Sequence, residues 1–262
     1  MRQKQFLFSG SCVMESYELT RNIAIKLKTI SDRLGYDLYF KMMFDKSNRS
    51  SLDSYRGPGL ELGIEWMKEI KEEIGIKIFT DVHESYQCEI VKNFVDVIQI
   101  PAFLCKQTDL VINAAKTGKK INVKKGQFVT PYEMKNILNK IRRFSSAEVF
   151  FTERGSVFGY GDTIVDMRSL QIMNDLGVNV LFDGTHSVLR PAAFGSTSGG
   201  QSEFSYSLLR AAAAVGVDGY FLEVHPAPSN ALCDGHSMTS INKLENILVT
   251  LKNINSTIIN KI

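Results

Sequence analysis

The chain has 262 residues, 44% hydrophobic and 10% aromatic, which suits a globular protein with a large buried core. Lysine plus arginine (31) nearly balance aspartate plus glutamate (28), so no bulk charge points to nucleic acid or to a membrane surface. No apolar run approaches the roughly 20 residues of a membrane span, residues 1–5 lack a signal-peptide core, and the four cysteines form no C-x-x-C pair, so reduced thiols and a cytoplasmic location are expected.

Short apolar stretches alternate with helical patterns, and each apolar stretch runs into polar residues. Residues 6–8 lead to Ser11, Cys12 and Glu15, and then to a helix over 16–34 with Leu19, Ile23, Leu27 and Ile30 on one face. Residues 38–40 lead to Lys41 and, across a long connection over 45–58, to Lys46, Asn48, Arg49 and Ser50; a helix over 59–74 follows. Residues 77–79 lead to Asp81 and His83, with Cys88 in a helical stretch beyond them. Residues 95–98 lead to Gln99, and a helix over 109–117 follows. Residues 121–123 lead to Lys124 and Lys125, before a helix over 131–142 with Pro131 suited to its first turn. Residues 149–151 lead to Glu153 and Arg154, then a helix over 166–176. Residues 178–181 lead to Asp183 and His186, then a long connection over 187–203 and a helix over 204–215. Residues 220–222 lead to Glu223 and His225, then a connection over 226–240 that carries Asp234, and a helix over 244–254. Gly35, Gly75, Gly118 and Gly177 each follow a helical stretch, where a left-handed cap suits glycine.

Eight strands alternating with helices imply a parallel sheet of the α/β class. Polar residues after every strand point to a (β/α)8, or TIM, barrel with its active site at the C-terminal face. With no linker or low-complexity run, residues 1–262 read as a single barrel catalytic domain.

Any one of Lys41, Lys46, Arg49, Lys124 and Arg154 is most simply a solvated charge. Together at converging strand ends they would repel one another unless anions sat among them, which implies a small substrate with more than one phosphate or carboxylate group. A lysine inside a barrel also permits a Schiff base, the rival mechanism. Cys12, His186, Glu223 and Asp234 come from the first, seventh and eighth strand ends and the loop after the eighth. These neighbours in a closed barrel can bring all four to one point, a candidate divalent metal site. His225 and His236 read as supporting residues at the same face and His83 as scaffold, while Asp81 suits a substrate hydroxyl. Cys105 and Cys233 carry no positive argument.

The motifs Gly10-Ser11-Cys12-Val13-Met14-Glu15-Ser16, Lys46-Ser47-Asn48-Arg49-Ser50-Ser51, Thr80-Asp81-Val82-His83-Glu84, Lys124-Lys125-Gly126-Gln127-Phe128, Phe182-Asp183-Gly184-Thr185-His186 and Phe221-Leu222-Glu223-Val224-His225-Pro226 resemble the 3-deoxy-D-manno-octulosonate-8-phosphate synthases over nearly the whole chain. The Asn48-Arg49 loop resembles that family's Lys-Ala-Asn-Arg-Ser-Ser; the related 3-deoxy-D-arabino-heptulosonate-7-phosphate synthases, which use erythrose 4-phosphate, carry Lys-Pro-Arg-Thr there. The resemblance implies condensation of phosphoenolpyruvate with D-arabinose 5-phosphate, releasing phosphate by C–O cleavage, to make a sugar acid of the lipopolysaccharide core. It implies that Lys41, Lys46, Gln99, Lys124 and Arg154 hold phosphoenolpyruvate, that Asn48, Arg49 and Ser50 hold the sugar phosphate, and that Asp81 contacts its hydroxyls. It further implies catalytic work for Lys46, His186, Asp234 and Cys12, and a homotetramer in which Lys106 reaches a neighbour's sugar phosphate. Cys12 stands where the metal-independent branch has Asn, so the resemblance is to the metal-dependent branch, with Cys12, His186, Glu223 and Asp234 holding a divalent ion (zinc, iron, manganese or similar). The chain departs from the family pattern at Lys106, usually Arg, at Thr152, usually Cys, and at Gly184, usually Ala. It also carries Met42-Met43 in place of Ala-Ser, and these are expected to crowd the pocket wall.

Overall fold

Runs of β-branched and aromatic residues, short and bounded by polar residues or glycine, form eight parallel strands in the computed structural model of this chain, which describes residues 5–49, 51–157, 162–190 and 199–258. They are β1 (Phe6–Gly10), β2 (Asp37–Lys41), β3 (Lys77–Asp81), β4 (Val97–Ile100), β5 (Lys120–Lys124), β6 (Val149–Glu153), β7 (Asn179–Asp183) and β8 (Gly219–His225). Each pairs with the next, and β8 returns to pair with β1 from Phe6↔Gly219 to Gly10↔Glu223, which closes the (β/α)8 barrel. Around it lie α1 (Tyr17–Leu34), α2 (Leu60–Ile74), α3 (Ser85–Val91), α4 (Thr108–Lys116), α5 (Met134–Arg142), α6 (Arg168–Asn174), α7 (Ser202–Val215) and α8 (Ile241–Ile258). No helix among the described residues is long and apolar enough to cross a membrane.

The strands run further than their apolar stretches. Lys41, Asp81, Lys124, Glu153, Asp183 and Glu223 lie inside strands rather than after them, because each polar side chain finds a buried partner and the backbone ladder continues beneath it. Gly35, Gly75, Gly118 and Gly177 all adopt positive φ, as their places after helical stretches imply. Pro131 opens a 3-10 turn (Pro131–Glu133) capped by Thr130, and α5 continues from it. The seven residues of α3 are too few for a clear apolar period; a reciprocal capping box between Glu84 and Gln87 starts that helix.

Side chains alternate across each strand, and that parity divides the core in two. Inside the barrel Phe6, Phe8, Tyr39, Phe79, Val97, Phe150, Leu181 and Phe221 form one buried cluster. Phe8 packs against Tyr39, Phe79 and Phe150 with ring centroids 4.8, 5.0 and 5.1 Å apart. Truncating such a ring to Ala costs about 3–5 kcal/mol. The opposite parity, including Leu7, Phe40, Ile78, Ile98, Val123, Phe151 and Leu222, packs against the helices. Met42 belongs to this outer cluster. The expected crowding of the pocket wall by Met42 is therefore overturned: Lys41 points into the barrel, so its neighbour must point out.

Candidate active site

Two residues beyond each inward aromatic or aliphatic side chain, the same parity delivers a polar group to the barrel mouth. Tyr39 is followed by Lys41, Phe79 by Asp81, Val97 by Gln99, Phe150 by Thr152, Leu181 by Asp183 and Phe221 by Glu223, all buried. Gly10 makes room on β1, since a Cβ there would stand 2.6 Å from the Lys41 carbonyl oxygen and 2.8 Å from its Cβ.

Cations and carboxylates interleave in this layer. Lys41 Nζ lies 2.5 Å from Glu223 Oε1 and 3.7 Å from Asp81 Oδ2. Lys124 Nζ lies 2.6 Å from Asp183 Oδ2, and Lys46 Nζ 2.9 Å from Asp234 Oδ2. The Phe221 ring forms the floor between Lys124, 3.6 Å from its centroid, and Lys41, at 5.7 Å. Burial pulls the Lys41 pKa down, but Glu223 and Asp81 outweigh it and hold the ammonium well above the ordinary lysine range. Burial would likewise raise Glu223, yet Lys41 and His186 hold its carboxyl down at about 2. Asp183 stays ionised against its burial because His186 and Lys124 flank it. Lys124 is pulled below the ordinary range by burial, with Lys41 adding repulsion. Arg154 is buried beside this group, and its Nη1 has no hydrogen-bond partner among the described residues. A buried guanidinium with an unmet donor costs stability unless an anion completes it.

Asp183 also fixes His186. Its Oδ2 sits 2.8 Å from His186 Nδ1, while its Oδ1 accepts the backbone N–H groups of Thr185 (2.9 Å) and His186 (2.8 Å). Nε2 is thereby aimed at Glu223 Oε2 (3.6 Å) and Asp234 Oδ2 (3.9 Å). Burial lowers the His186 pKa and favours the neutral, ligating imidazole. Asp234 reaches the site from an αL backbone with φ 48°, the one positive φ outside glycine among the described residues. That conformation costs roughly 1–2 kcal/mol and is braced by Ser237, whose N–H and hydroxyl both donate to the Asp234 carbonyl. Two groups of side chains could hold a metal ion: His186, Glu223 and Asp234, and Cys12, Cys233 and Asp234, with ligand atoms in each group within 4.8 Å of one another. Glu223 Oε2 is buried without a hydrogen-bond partner. An orphaned carboxylate oxygen facing an imidazole nitrogen fits a divalent cation.

A polar relay crosses the mouth: Thr152 Oγ1 donates to Asn122 Oδ1 (2.8 Å), Asn122 Nδ2 to Gln99 Oε1 (2.7 Å), and Gln99 Nε2 to Asp81 Oδ1 (2.6 Å). The Thr152 departure from the family pattern thus supplies a hydroxyl to this relay. At Gly184, an Ala Cβ would meet Leu209 and Leu222 carbons at 2.9 Å, so the glycine matches this chain's local packing.

Of the residues singled out in the sequence, Cys12, Lys41, Lys46, Asp81, Gln99, Lys124, Arg154, His186, Glu223 and Asp234 converge on the mouth. Arg49 lies beside them, its Nη2 3.2 Å from the Leu232 carbonyl, and Asn48 is exposed on the same loop. Ser50 lies outside the described residues. Lys106 stays apart: it is exposed and pairs with Glu133 at 3.0 Å. Sequence reasoning missed Asp183, although it precedes His186 by three residues on a predicted strand end. It also missed Asn122, Thr152 and Cys233, whose roles depend on contacts across strands with no local signature. Glu15 is another such residue: it accepts the Leu232 N–H at 3.1 Å and approaches His225 Nε2 at 3.8 Å, tying the β1 loop to the connection after β8.

Residues 2–260 match the model of the DAHP synthetase I family. The chain is similar to the 2-dehydro-3-deoxyphosphooctonate aldolases of Fusobacterium nucleatum (51% identical, covering 94% of this chain and 89% of that one) and Helicobacter hepaticus (50%, covering 95% and 96%). Another from Campylobacter jejuni is 48% identical, with 98% of each chain covered.

Proposed function

The chain belongs to the DAHP synthetase I family, and from that membership and the geometry of the barrel mouth we propose that it condenses phosphoenolpyruvate with D-arabinose 5-phosphate and water, giving 3-deoxy-D-manno-octulosonate 8-phosphate and inorganic phosphate. The observation that carries this reading is the buried cation set of Lys41, Lys46, Lys124 and Arg154, with one guanidinium donor unmet. It suits a substrate bearing both a phosphate and a carboxylate. C3 of phosphoenolpyruvate bonds to the aldehyde carbon as water adds to C2, and one proton of that water ends on the former aldehyde oxygen; the C2–O bond to phosphate then breaks as the C2 hydroxyl becomes the ketone, its proton leaving with the phosphate. Lys124 and Arg154 hold the anionic groups, Gln99 and Lys41 orient them, and the fixed cations offset charge as it develops.

Lys46, His186, Asp234 and Cys12 carry the catalytic work at the edge of this cluster. Cys12, His186, Glu223 and Asp234 would hold a divalent ion. When bound, such an ion would polarise the aldehyde or a water as a Lewis acid. His186 presents Nε2 because Asp183 engages Nδ1, and Lys46 neutralises Asp234.

Asn48, Arg49 and Ser50 take the sugar phosphate, and Asp81 its hydroxyls. This loop, together with the names of the relatives, favours arabinose 5-phosphate over erythrose 4-phosphate. The lowered pKa of Lys124 also suits a Schiff base; borohydride with substrate would trap a lysine in that mechanism alone.

A homotetramer would complete the site through Lys106. Exposed Phe103, Phe128 and Tyr132 on the loops after β4 and β5 support an apolar interface there. Four free cysteines and phosphorylated substrates that do not cross membranes support a cytoplasmic location.

The deciding experiment measures phosphate release from phosphoenolpyruvate with each sugar phosphate, with and without chelator. Turnover with arabinose 5-phosphate, lost on chelation and restored by a divalent metal, is expected. Equal turnover with erythrose 4-phosphate, or full activity without metal, would overturn the corresponding part.

A further inference from the structure

Cys233 has no part in the reaction described above, yet its Sγ lies 2.8 Å from that of Cys12, and Cys12 Sγ lies 3.3 Å from Asp234 Oδ2. The two cysteines arrive from opposite ends of the chain, one on the loop after β1 and the other on the connection after β8. Both are buried, in a small cluster with Val13 and Met238. As a structural thiol, Cys233 would only need to fill space in that cluster. Its sulfur instead points at the Cys12 thiol and joins Cys12 and Asp234 in a ligand group distinct from His186, Glu223 and Asp234; Asp234 is common to both.

We propose that Cys233 is a metal ligand in its own right, giving the barrel mouth a two-thiolate face that takes soft divalent ions such as cadmium or zinc. This rests on the reading that Cys12 and Asp234 hold metal at all. Thiolates select soft ions, whereas imidazole and carboxylates accept harder ones. The mouth therefore offers two overlapping faces hinged on Asp234. A soft ion draws in Cys233 beside Cys12 and Asp234, and a harder one leans toward His186 and Glu223 while keeping Cys12 and Asp234.

The geometry allows this with a small movement. Zinc–sulfur bonds of about 2.3 Å at a tetrahedral angle place two sulfurs about 3.8 Å apart, so the pair opens by about 1 Å. The backbone beside Cys233 is anchored at Leu232, whose N–H donates to Glu15 and whose carbonyl accepts from Arg49, so the opening falls to the two cysteine side chains. Binding is balanced in charge: one divalent ion displaces the protons of two thiols, and two protons are released for each ion bound.

The test titrates metal-free, full-length protein with cadmium and reads the thiolate-to-metal charge-transfer absorbance per ion bound. Wild type is expected to show a two-thiolate band at the first equivalent. Cys233→Ser and Cys12→Ser should each show about half of it, and the double variant none, because each thiolate contributes one ligand. A Cys233→Ser band equal to wild type, lost only in Cys12→Ser, would overturn the role of Cys233 while leaving a metal at Cys12. Cadmium bound to wild type without a band would overturn this inference alone, and no cadmium bound at all would remove the metal reading itself, and this inference with it. Should the Cys233→Ser protein fail to fold, proton release from wild type decides alone: two protons per cadmium support the pair, and one overturns it.

Discussion

Asp183→Asn perturbs the point at which the substrate cations and the candidate metal ligands meet. Asp183 is fully buried and accepts four contacts: Lys124 Nζ at 2.6 Å, His186 Nδ1 at 2.8 Å, and the backbone N–H groups of His186 and Thr185 at 2.8 and 2.9 Å. Asn keeps the shape, and its carbonyl can still take both backbone N–H groups, so the loop after β7 should hold. Its amide nitrogen, however, would face two donors, the Lys124 ammonium and His186 Nδ1. Removing one partner of a buried ion pair costs about 3–5 kcal/mol. The low end is expected, because Lys124 is already easier to deprotonate than an ordinary lysine and can shed its charge. The imidazole also loses the acceptor that sets its tautomer, and losses of this kind reduce metal affinity about 10–100-fold. Chelator competition with the purified variant measures the metal affinity, and urea unfolding the stability. Metal affinity within about twofold of wild type would refute the view that Asp183 sets His186 for ligation.

Lys124→Ala and Arg154→Ala should raise the KM for phosphoenolpyruvate about 10–100-fold, while Arg49→Ala should mainly impair arabinose 5-phosphate, each being the loss of a charge-assisted hydrogen bond; steady-state kinetics with both substrates varied would refute this if every variant affected both equally. Lys106→Arg should lower the KM for arabinose 5-phosphate and leave that for phosphoenolpyruvate unchanged, because Arg grips phosphate in a bidentate manner and Lys does not; a structure with the sugar phosphate bound and Lys106 far from every phosphate would end that proposal. Metal-free protein should lose stability in acid. Glu223, Asp183 and Asp234 all have folded pKa values depressed below their unfolded ones, so their contribution is full above pH about 5 and fades as pH falls. For Glu223, held at about 2 against an ordinary 4.5, that share is at most about 3 kcal/mol. A urea midpoint unchanged between pH 5 and 3 would contradict it.

The sequence by itself determined the barrel and where its chemistry sits. Eight short apolar strands alternating with helical patterns indicate a parallel sheet, and polar residues after every strand point to the closed barrel and mark its working face. Both signals are local, set by the period of side-chain burial and by the glycines after helices, so they can be read from neighbouring residues. Lys41, Asp81, Gln99 and Glu223 were legible for the same reason, since each stands two positions beyond an inward hydrophobic side chain, whereas Cys12, Lys46, Arg154, His186 and Asp234 lie further along the segments that follow the strands. The tertiary structure alone decided which cation faces which carboxylate, as in Lys41 with Glu223, Lys46 with Asp234 and Lys124 with Asp183. It alone brought Cys233 to Cys12, 221 residues away along the chain. These contacts join strands and loops far apart in sequence, and their energies depend on distance and burial in the closed barrel, which no local pattern of residues encodes.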